Sequence, residues 1–187
     1  MSSFYSEKEL KEIGLKRYGK DVLISRKCNI YNPKNIEIGD NVRMDDFCIL
    51  SGTIKLGNNI HISAYSALYG KYGIEFEDYT GCSTRTIIYS ATDDFSGEYM
   101  IGAVLPDEVT NVISGKVVLK KFSQLGANTV VMPGIVINEG AVTGVFSFVN
   151  KDLEEWTINF GIPCKKMKNR SKKLLNFLKN KDIGNRK

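Results

Sequence analysis

The sequence predicts an all-β fold, a left-handed parallel β-helix of hexapeptide repeats with a protruding loop and short N- and C-terminal helices. Two rows of apolar or small residues lead to this prediction, because each recurs every six residues and the two rows run four residues apart. That period matches neither the turn of an α-helix nor the alternation of a simple strand. Each repeat is therefore a short strand with a tight turn, and three repeats close one triangular coil that stacks on its neighbours.

The two rows can be followed through most of the chain, and both are predicted to face the interior. In the N-terminal half the first row is Ile38, Met44, Leu50, Leu56, Ile62 and Leu68, and the second is Val42, Cys48, Ile54, Ile60 and Ser66. After a slip of two residues the rows resume as Phe76, Cys82 and Ile88, with Thr80 and Thr86. They return as Leu119, Leu125, Val131, Ile137, Thr143 and Val149, with Ser123, Thr129, Ile135, Ala141 and Ser147. A β-sandwich would not keep two interior rows in phase over so many steps.

Glycines recur beside these rows, near the predicted corners of the coils. They are Gly39, Gly57, Gly126, Gly134, Gly140 and Gly144. Tight corners often need a positive φ, which glycine adopts without steric cost. We therefore expect these glycines to supply the corner conformation.

The ends of the chain and one internal segment depart from the repeat. A capping box from Ser6 to Glu9, stopped by Gly14, predicts an N-terminal helix. Three leucines on one face of 171–180 predict a C-terminal helix. We divide the single domain into a helical cap (1–20), a first β-helix section (21–88), a protruding active-site loop (89–115), C-terminal coils (116–163) and a basic helical tail (164–187).

Composition narrows the class of protein. The chain lacks the run of about 18 apolar residues that a membrane span needs, and its polar, acidic start has no signal-peptide pattern. We therefore expect a cytoplasmic protein without membrane insertion. The four cysteines lie far apart without CxxC pairing, which fits neither a zinc site nor a disulfide framework.

The net charge of +5 comes from the C-terminal tail. Residues 165–187 hold ten Lys or Arg and one acid, so the rest of the chain is acidic overall. Such a tail could meet nucleic acid, but the sequence has no nucleic-acid-binding motif and we expect no such partner. A solvated helix that also meets a phosphate-rich cofactor is favoured.

Two groups of motifs resemble a known family. The stretch LGANTVVMPGIVINEGAVTGVFSFVNKDL, followed by FGIPCKK, resembles the C-terminal signature of hexapeptide-repeat acyltransferases. The runs SRKCNIYNPKNIEIGDNVRMDDFCILSG, HISAYSALYG and IYSATDDFSGE are similar to acyltransferases that act on dTDP-4-amino-4,6-dideoxyglucose and related nucleotide sugars. The resemblance implies a homotrimer with sites between neighbouring subunits, an acyl-CoA co-substrate, acetyl-CoA by default, and no metal.

The same resemblance implies how acyl-CoA binds. Backbone groups of Ala127 and Val145 are expected to contact the pantetheine. Lys151, after the last repeat, is also expected to bind the cofactor. Lys165 and Lys168, after the GIPC element, are expected to meet its adenosine phosphates. The alternative is that these lysines belong only to a solvated surface.

The candidate catalytic groups lie in the loop and on one coil. Relatives that acetylate hydroxyl groups often carry a histidine in this loop, whereas here the loop holds Asp93, Asp94 and Glu98 and no histidine. The sole histidine of the chain, His61, should point outward from a coil, and its ordinary pKa suits a general base. Alternatively, His61 has no catalytic role and the aspartates only shape a turn.

The acceptor is the remaining question. Ser83 and Arg85, on the coil before the loop, are candidate substrate-binding residues. A sugar amine is partly neutral near pH 7, so it needs orientation by a carboxylate more than a histidine base. We therefore favour N-acylation of a nucleotide-linked amino sugar in bacterial surface polysaccharide biosynthesis. Sugar O-acetylation and a non-catalytic scaffold remain alternatives, and one histidine is too few for a γ-type carbonic anhydrase zinc site.

Overall fold

The computed structural model describes residues 3–180, which form two short α-helices, two 3₁₀ turns and nineteen strands. Residues 1, 2 and 181–187 of the predicted cap and tail lie outside the described residues. The helices are α1 (Glu7–Ile13) and α2 (Leu175–Asn180), and the 3₁₀ turns are Pro33–Asn35 and Asp107–Val109. The strands are β1 (Leu23–Ile24), β2 (Asn29–Tyr31), β3 (Ile36–Ile38), β4 (Val42–Met44), β5 (Ile49–Leu56), β6 (Ile60–Ile62), β7 (Ala67–Phe76), β8 (Gly81–Cys82), β9 (Ile87–Tyr89), β10 (Ala91–Asp93), β11 (Val112–Ser114), β12 (Val117–Leu119), β13 (Gln124–Leu125), β14 (Val130–Val131), β15 (Val136–Ile137), β16 (Val142–Thr143), β17 (Phe148–Val149), β18 (Thr157–Phe160) and β19 (Lys165–Asn169).

The strands form three parallel faces of a triangular prism, which confirms the predicted β-helix. Face A is β1-β4-β6-β8-β13-β16-β18, with β19 added antiparallel at its end. Face B contains β2, the first half of β5, the first half of β7, β9, β14 and β17. Face C contains β3, the second halves of β5 and β7, β12 and β15. Consecutive strands therefore visit the three faces in turn, as hexapeptide repeats require.

Both predicted rows fill the interior of the prism. Every residue of the two rows is buried, and Ile135, the most exposed among them, is only 7% exposed. The bulky row supplies most of the apolar contact, while Ser, Thr, Ala and Cys of the second row fit where the chain turns. Three of the four cysteines are buried as free thiols. Burial raises the pKa of Cys82 to about 12, which suits an unreactive packing residue.

The two-residue slip of the pattern has a local cause in β7. Gly52 of β5 pairs with Gly70 of β7, but the next pair is Ile54 with Ile74. Three residues, from Lys71 to Gly73, therefore stand opposite the single Thr53. The extra residues bulge at the corner between faces B and C, so both halves of β7 keep their place in the core.

The expectation about the corner glycines is wrong for most of them. Only Gly134 and Gly140 of that set have positive φ, whereas the residues that turn the corners are mainly Asn and aromatic side chains. The other glycines are needed for close stacking of coils. A Cβ on Gly126 would lie 2.5 Å from the backbone of Gly144, and one on Gly39 would lie 2.5 Å from the carbonyl of Gly57.

One short helix precedes the first coil, and another follows β19. Helix α1 has the predicted capping box between Ser6 and Glu9, ends at Gly14 in the left-handed region, and buries Leu10. Helix α2 is shorter than the predicted segment, and its leucines are half-buried. Arg170, just after β19, donates hydrogen bonds to the carbonyls of Phe122 (2.7 Å) and Gly140 (2.9 Å).

The segment between β9 and β12 leaves the prism as a loop. Strands β10 and β11 pair as an antiparallel hairpin stem, from Ala91 with Ser114 to Asp93 with Val112. The far part of the loop exposes apolar side chains, including Phe95 (73%) and Val104 (94%). Across residues 3–180, no helix combines the length and apolarity needed to cross a bilayer.

Candidate active site

Four of the predicted binding residues lie on one edge of the prism, where face A turns into face B. We call this edge the AB corner and define it as residues 45–47, 63–65, 83–85, 126–128 and 144–146. Backbone hydrogen bonds run along it from coil to coil. They join Tyr65 N to Asp46 O (3.0 Å), Arg85 N to Ala64 O (3.1 Å), Asn128 N to Thr84 O (3.0 Å) and Phe146 N to Ala127 O (2.8 Å). Ser83, Arg85, Ala127 and Val145 are thus brought into line, although up to 62 residues separate them in sequence.

The AB corner carries stacked rings and cations on its outer side. The ring centroids of Phe47 and Tyr65 are 4.9 Å apart. The guanidinium of Arg85 lies 5.7 Å from the Tyr65 centroid, and the ammonium of Lys27 lies 5.1 Å from the Phe47 centroid. The edge therefore offers flat aromatic surface to a ligand, and Arg85 offers it a positive charge, whereas Lys27 is paired with Asp46.

His61 projects from face A beside the AB corner, as its place between two buried isoleucines predicts. Its Nε2 lies 2.7 Å from Oδ2 of Asp45, and the other oxygen of Asp45 accepts a hydrogen bond from Arg43 Nε at 2.7 Å. Burial acts to raise the pKa of Asp45, but the hydrogen bonds from Arg43 and His61 outweigh it and leave the pKa lowered. Asp45 is therefore a carboxylate held between two donors.

The loop holds Asp94 in a fixed orientation at the end of its hairpin stem. One oxygen of Asp94 accepts from the backbone N–H of Ser96 (2.8 Å), and the other accepts from Nδ2 of Asn111 (2.9 Å). These two hydrogen bonds, that from Ser96 first, lower the pKa of Asp94. Asp94 is thus ionised at neutral pH and makes a better hydrogen-bond acceptor than proton acceptor.

The two other loop carboxylates differ in their surroundings. Asp93 lines an open cavity of about 350 Å³ between the hairpin stem and the far part of the loop. Lys71, from the bulge of β7, lines the same cavity together with Tyr89. Glu98 is exposed nearer the tip, and its N–H donates to the hydroxyl of Ser96.

His61 and the loop carboxylates lie on different sides of one chain. The loop leaves from β9 on face B and returns to β12 on face C, whereas His61 is on face A. The depression beside His61 and the cavity at the loop share no lining residue. A single described chain therefore does not bring His61 and Asp94 together.

The three candidate cofactor lysines are also divided. Lys165 and Lys168 lie in β19, opposite Phe160 and Ile158 at the C-terminal end of face A. They are exposed, and face A leads from them to the AB corner. Lys151 follows β17 and lies where face B turns into face C, away from Ala127 and Val145 of the same chain.

Sequence reasoning missed Asp45, Arg43 and Thr84. Arg43 pairs with His61 in register, because one coil separates them. One coil is about 18 residues, or three repeats, long. Counting one coil back from His61 would have identified Arg43 and, two residues later, Asp45. Thr84 lies exposed between the two predicted substrate-binding residues, and its carbonyl continues the ladder of the AB corner.

Residues 3–180 contain no cluster of three or more His, Cys, Asp or Glu side chains that could hold a metal ion.

Comparison with known proteins gives close and extensive matches. The chain is 43% identical over 176 residues to dTDP-4-amino-4,6-dideoxy-D-glucose acyltransferase of Escherichia coli, covering 92% of each. It is 27% identical over 183 residues to a putative lipopolysaccharide biosynthesis O-acetyl transferase of Escherichia coli K12, covering 82% of this chain and 91% of the relative. No family profile matches the chain.

Solved structures of AntD, an N-acyltransferase from Bacillus cereus, superpose on this chain. A variant of AntD in complex with dTDP-4-amino-4,6-dideoxyglucose and coenzyme A has a TM-score of 0.94, with 48% identity and 96% of each chain covered. AntD in complex with dTDP and 3-hydroxybutyryl-CoA has the same TM-score, with 49% identity over 96% of each chain.

The β-helix and these relatives together define an acyltransferase of the hexapeptide-repeat class. Within that class, the chain belongs to the family of dTDP-4-amino-4,6-dideoxyglucose acyltransferases, since the match is long, high in identity and close in structure. The resemblance seen in the sequence motifs is thereby confirmed, and the alternative of a non-catalytic scaffold is excluded.

Proposed function

We propose that this enzyme transfers an acyl group from acyl-CoA to the amino group of dTDP-4-amino-4,6-dideoxyglucose and releases coenzyme A. The observation that supports this most is the near-full-length similarity to AntD, whose solved complex contains that amino sugar and coenzyme A. We further propose that the reaction occurs in the cytoplasm and serves bacterial surface polysaccharide biosynthesis. A sugar O-acetyltransferase is the alternative function.

The C-terminal part of the AB corner, residues 126–128 and 144–146, is the proposed path of the pantetheine chain of acyl-CoA. The carbonyl of Ala127 already accepts from Phe146, so we expect its N–H to be the group that meets the pantetheine amide. Val145 is 56% exposed on the next coil and gives apolar contact along the same line. Lys165 and Lys168 would lie near the phosphates, where cationic donors stabilise the negative charge.

The proposed active enzyme is a homotrimer. Exposed apolar residues of the loop, such as Phe95 and Val104, support burial of the loop against a second copy of the chain. This arrangement would bring Asp94 of one subunit towards the AB corner of the next. It would also let Lys151, on the corner between faces B and C, reach the acyl-CoA bound by a neighbouring subunit.

Asp94 has the proposed role of orienting the acceptor amine. Its lowered pKa keeps it ionised, so it would accept a hydrogen bond from the amine and direct the nitrogen lone pair at the thioester carbon. Asp93, Glu98, Ser83 and Arg85 would contribute contacts to the sugar nucleotide from the loop and the AB corner. An ionised carboxylate with a low pKa suits orientation better than proton abstraction.

A donor and acceptor screen tests the function. We expect free thiol to be released from acetyl-CoA or 3-hydroxybutyryl-CoA in the presence of dTDP-4-amino-4,6-dideoxyglucose, with the product mass increased by one acyl group. The control acceptor is the matched sugar nucleotide with a hydroxyl in place of the amine. Turnover of the hydroxyl compound alone would reject N-acylation and support the O-acetyltransferase alternative.

A substitution series tests the site. We expect Asp94→Asn to lower kcat by about 10- to 100-fold, because the amide no longer attracts the amine as a charged acceptor does. Asp21→Asn, an exposed carboxylate before β1 and outside the loop, is the control and should stay within about twofold of wild type. Equal activity of the Asp94→Asn and wild-type enzymes would remove Asp94 from the mechanism, and a solution mass of one chain, 20.9 kDa, would contradict the trimer.

A further inference from the structure

Asp45 is held by hydrogen bonds from its backbone and its side chain, in addition to its contact with His61. Its backbone N–H donates to the carbonyl of Ile62 at 3.0 Å, which ties the residue to the strand that carries His61. Its carbonyl accepts from the thiol of Cys28. Its Oδ1 accepts from Arg43, and its side chain is only 22% exposed. The Oδ2 atom is therefore held at 2.7 Å from His61 Nε2 by the coil itself.

This contact determines which imidazole nitrogen carries the proton. The lowered pKa of Asp45 means that its oxygens only accept hydrogen bonds at neutral pH. Nε2 must therefore be the N–H donor, and the neutral ring has its lone pair on Nδ1. The opposite tautomer would place two acceptors 2.7 Å apart.

The charged surroundings of His61 come from one neighbouring strand. Arg43 and Asp45 belong to the β4 side, and on the other side β8 presents Gly81 opposite His61. An open depression of about 360 Å³ beside the ring is lined by polar Asn41 and Asn59 as well as by Arg43. The imidazole is 53% exposed, so a ligand on face A can reach it.

We infer that Asp45 is a positioning residue that fixes the tautomer of His61 and so presents Nδ1 to receive the proton of the acceptor amine. This inference rests on the proposed function and adds a second group to the site beside Asp94. Asp94 orients the amine from the loop, whereas His61 takes the proton from the coil.

The step balances without any further reactant. The amine nitrogen forms a bond to the thioester carbonyl carbon, and the tetrahedral intermediate collapses as the C–S bond breaks. The proton lost by the amine moves to Nδ1 of His61 and passes from there to the departing sulfur. The products are the amide and the free thiol of coenzyme A, and His61 returns to its neutral form.

The test combines NMR with kinetics and uses Asp46 as a matched control. Because His61 is the sole histidine, its ¹⁵N signals need no assignment. Asp46 is the adjacent carboxylate, but it accepts from Lys27 Nζ at 2.8 Å and from Ser25 instead of His61. We expect the Nε2–H tautomer in the wild-type enzyme and in Asp46→Asn, and a mixture of tautomers in Asp45→Asn.

The kcat of the two variants tests whether Asp45 contributes to the reaction. We expect Asp45→Asn to lower kcat by about 10- to 100-fold with little change in KM for acyl-CoA, as loss of a correctly oriented base does. Asp46→Asn should stay within about twofold of wild type. A wild-type tautomer with the proton on Nδ1, or an Asp45→Asn enzyme with unchanged kcat, would overturn the inference.

Failure of the proposed function has a different signature. The tautomer measurement needs no acceptor, so it reports on the Asp45–His61 contact in every case. No turnover of the amino sugar by the wild-type enzyme would overturn the function, and the proton-accepting role with it. Turnover by wild type with equal turnover by Asp45→Asn would overturn only the role of Asp45.

Discussion

The coils and the protruding loop use apolar side chains in opposite ways. In the coils, the two interior rows are at most 7% exposed, and each coil covers the next. In the loop, Phe95, Met100 and Val104 are 73%, 56% and 94% exposed. The coils therefore hold the stability of the single chain, whereas the loop has apolar surface suited to a contact outside it.

The largest effect should come from a cavity in the coils. We expect Ile62→Ala to reduce the free energy of unfolding by about 3 to 4 kcal/mol, because a fully buried side chain leaves a void that stacked coils cannot close. The control is Ile113→Ala in the loop, where the side chain is 51% exposed and the expected loss is below about 1 kcal/mol. Urea titration at equal chain concentration measures both. Similar losses would mean that the loop is packed as firmly as the coils.

Glycine substitutions in the coils and in the loop should have the next largest effects on stability. Gly126→Ala should cost about 2 to 3 kcal/mol, because its Cβ would meet backbone atoms of the adjacent coil at 2.5 Å. Apart from Gly97 itself and its two chain neighbours, no atom of residues 3–180 would lie within 4 Å of a Cβ on Gly97, in the loop. Gly97→Ala should therefore cost about 1 kcal/mol through its φ of +89° alone. Thermal unfolding of both variants distinguishes stacking from backbone strain. A larger loss in Gly97→Ala would reverse this explanation.

A smaller effect is expected from an ion pair that joins the loop exit to a coil. Hydrogen bonds from Lys116 and then Lys55, opposed by burial, lower the pKa of Glu75. We expect Glu75→Gln to cost about 0.5 to 1 kcal/mol at pH 7 after solvent screening. A lowered folded pKa gives stability that is present above the unfolded value and is lost as pH falls through the folded one.

The pH dependence of unfolding checks that sign. The difference in the free energy of unfolding between wild type and Glu75→Gln should shrink below about pH 4, where the carboxyl of Glu75 is protonated in the unfolded chain. Glu98→Gln, an exposed carboxyl in the loop, serves as the control and should change stability by less than about 0.5 kcal/mol. If this difference in stability grew as the pH fell, Glu75 would not be the stabilising carboxylate with a lowered pKa.

The smallest effect should appear at Ser123, within the second interior row. Its hydroxyl is the one buried side-chain oxygen or nitrogen among residues 3–180 without a hydrogen-bond partner. Ser123→Ala should therefore be neutral or stabilise by up to about 0.5 kcal/mol. Ser147→Ala is the matched control, since it removes a 3.0 Å hydrogen bond to the Gly144 carbonyl and should cost about 1 kcal/mol. Equal losses would indicate that Ser123 is satisfied after all.

The sequence was informative wherever one residue's environment repeats in the next coil. Periodicity predicted every buried row residue, and it registered the bulge at Lys71 as a slip in phase. It could not reveal why Gly126 is a glycine, because the atom that excludes a side chain belongs to the adjacent coil.

The candidate site was predicted in part. The residues at Ser83, Arg85, Ala127 and Val145 were singled out separately, and only the backbone ladder places them on one edge. The partner of His61 escaped notice, because Asp45 lies one coil away and looks in sequence like an ordinary turn residue. The roles of all these side chains remain proposals to be tested.

The antiparallel strand β19 ends face A of the prism. A β-helix ends in an edge that could pair with another prism and grow into a fibre. Here β19 folds back on β18 in the opposite direction and presents lysines, while Arg170 occupies the carbonyls of Phe122 and Gly140. The same segment that is proposed to bind the cofactor phosphates therefore also terminates the repeat, and its charged antiparallel edge disfavours end-to-end pairing of face A with another prism.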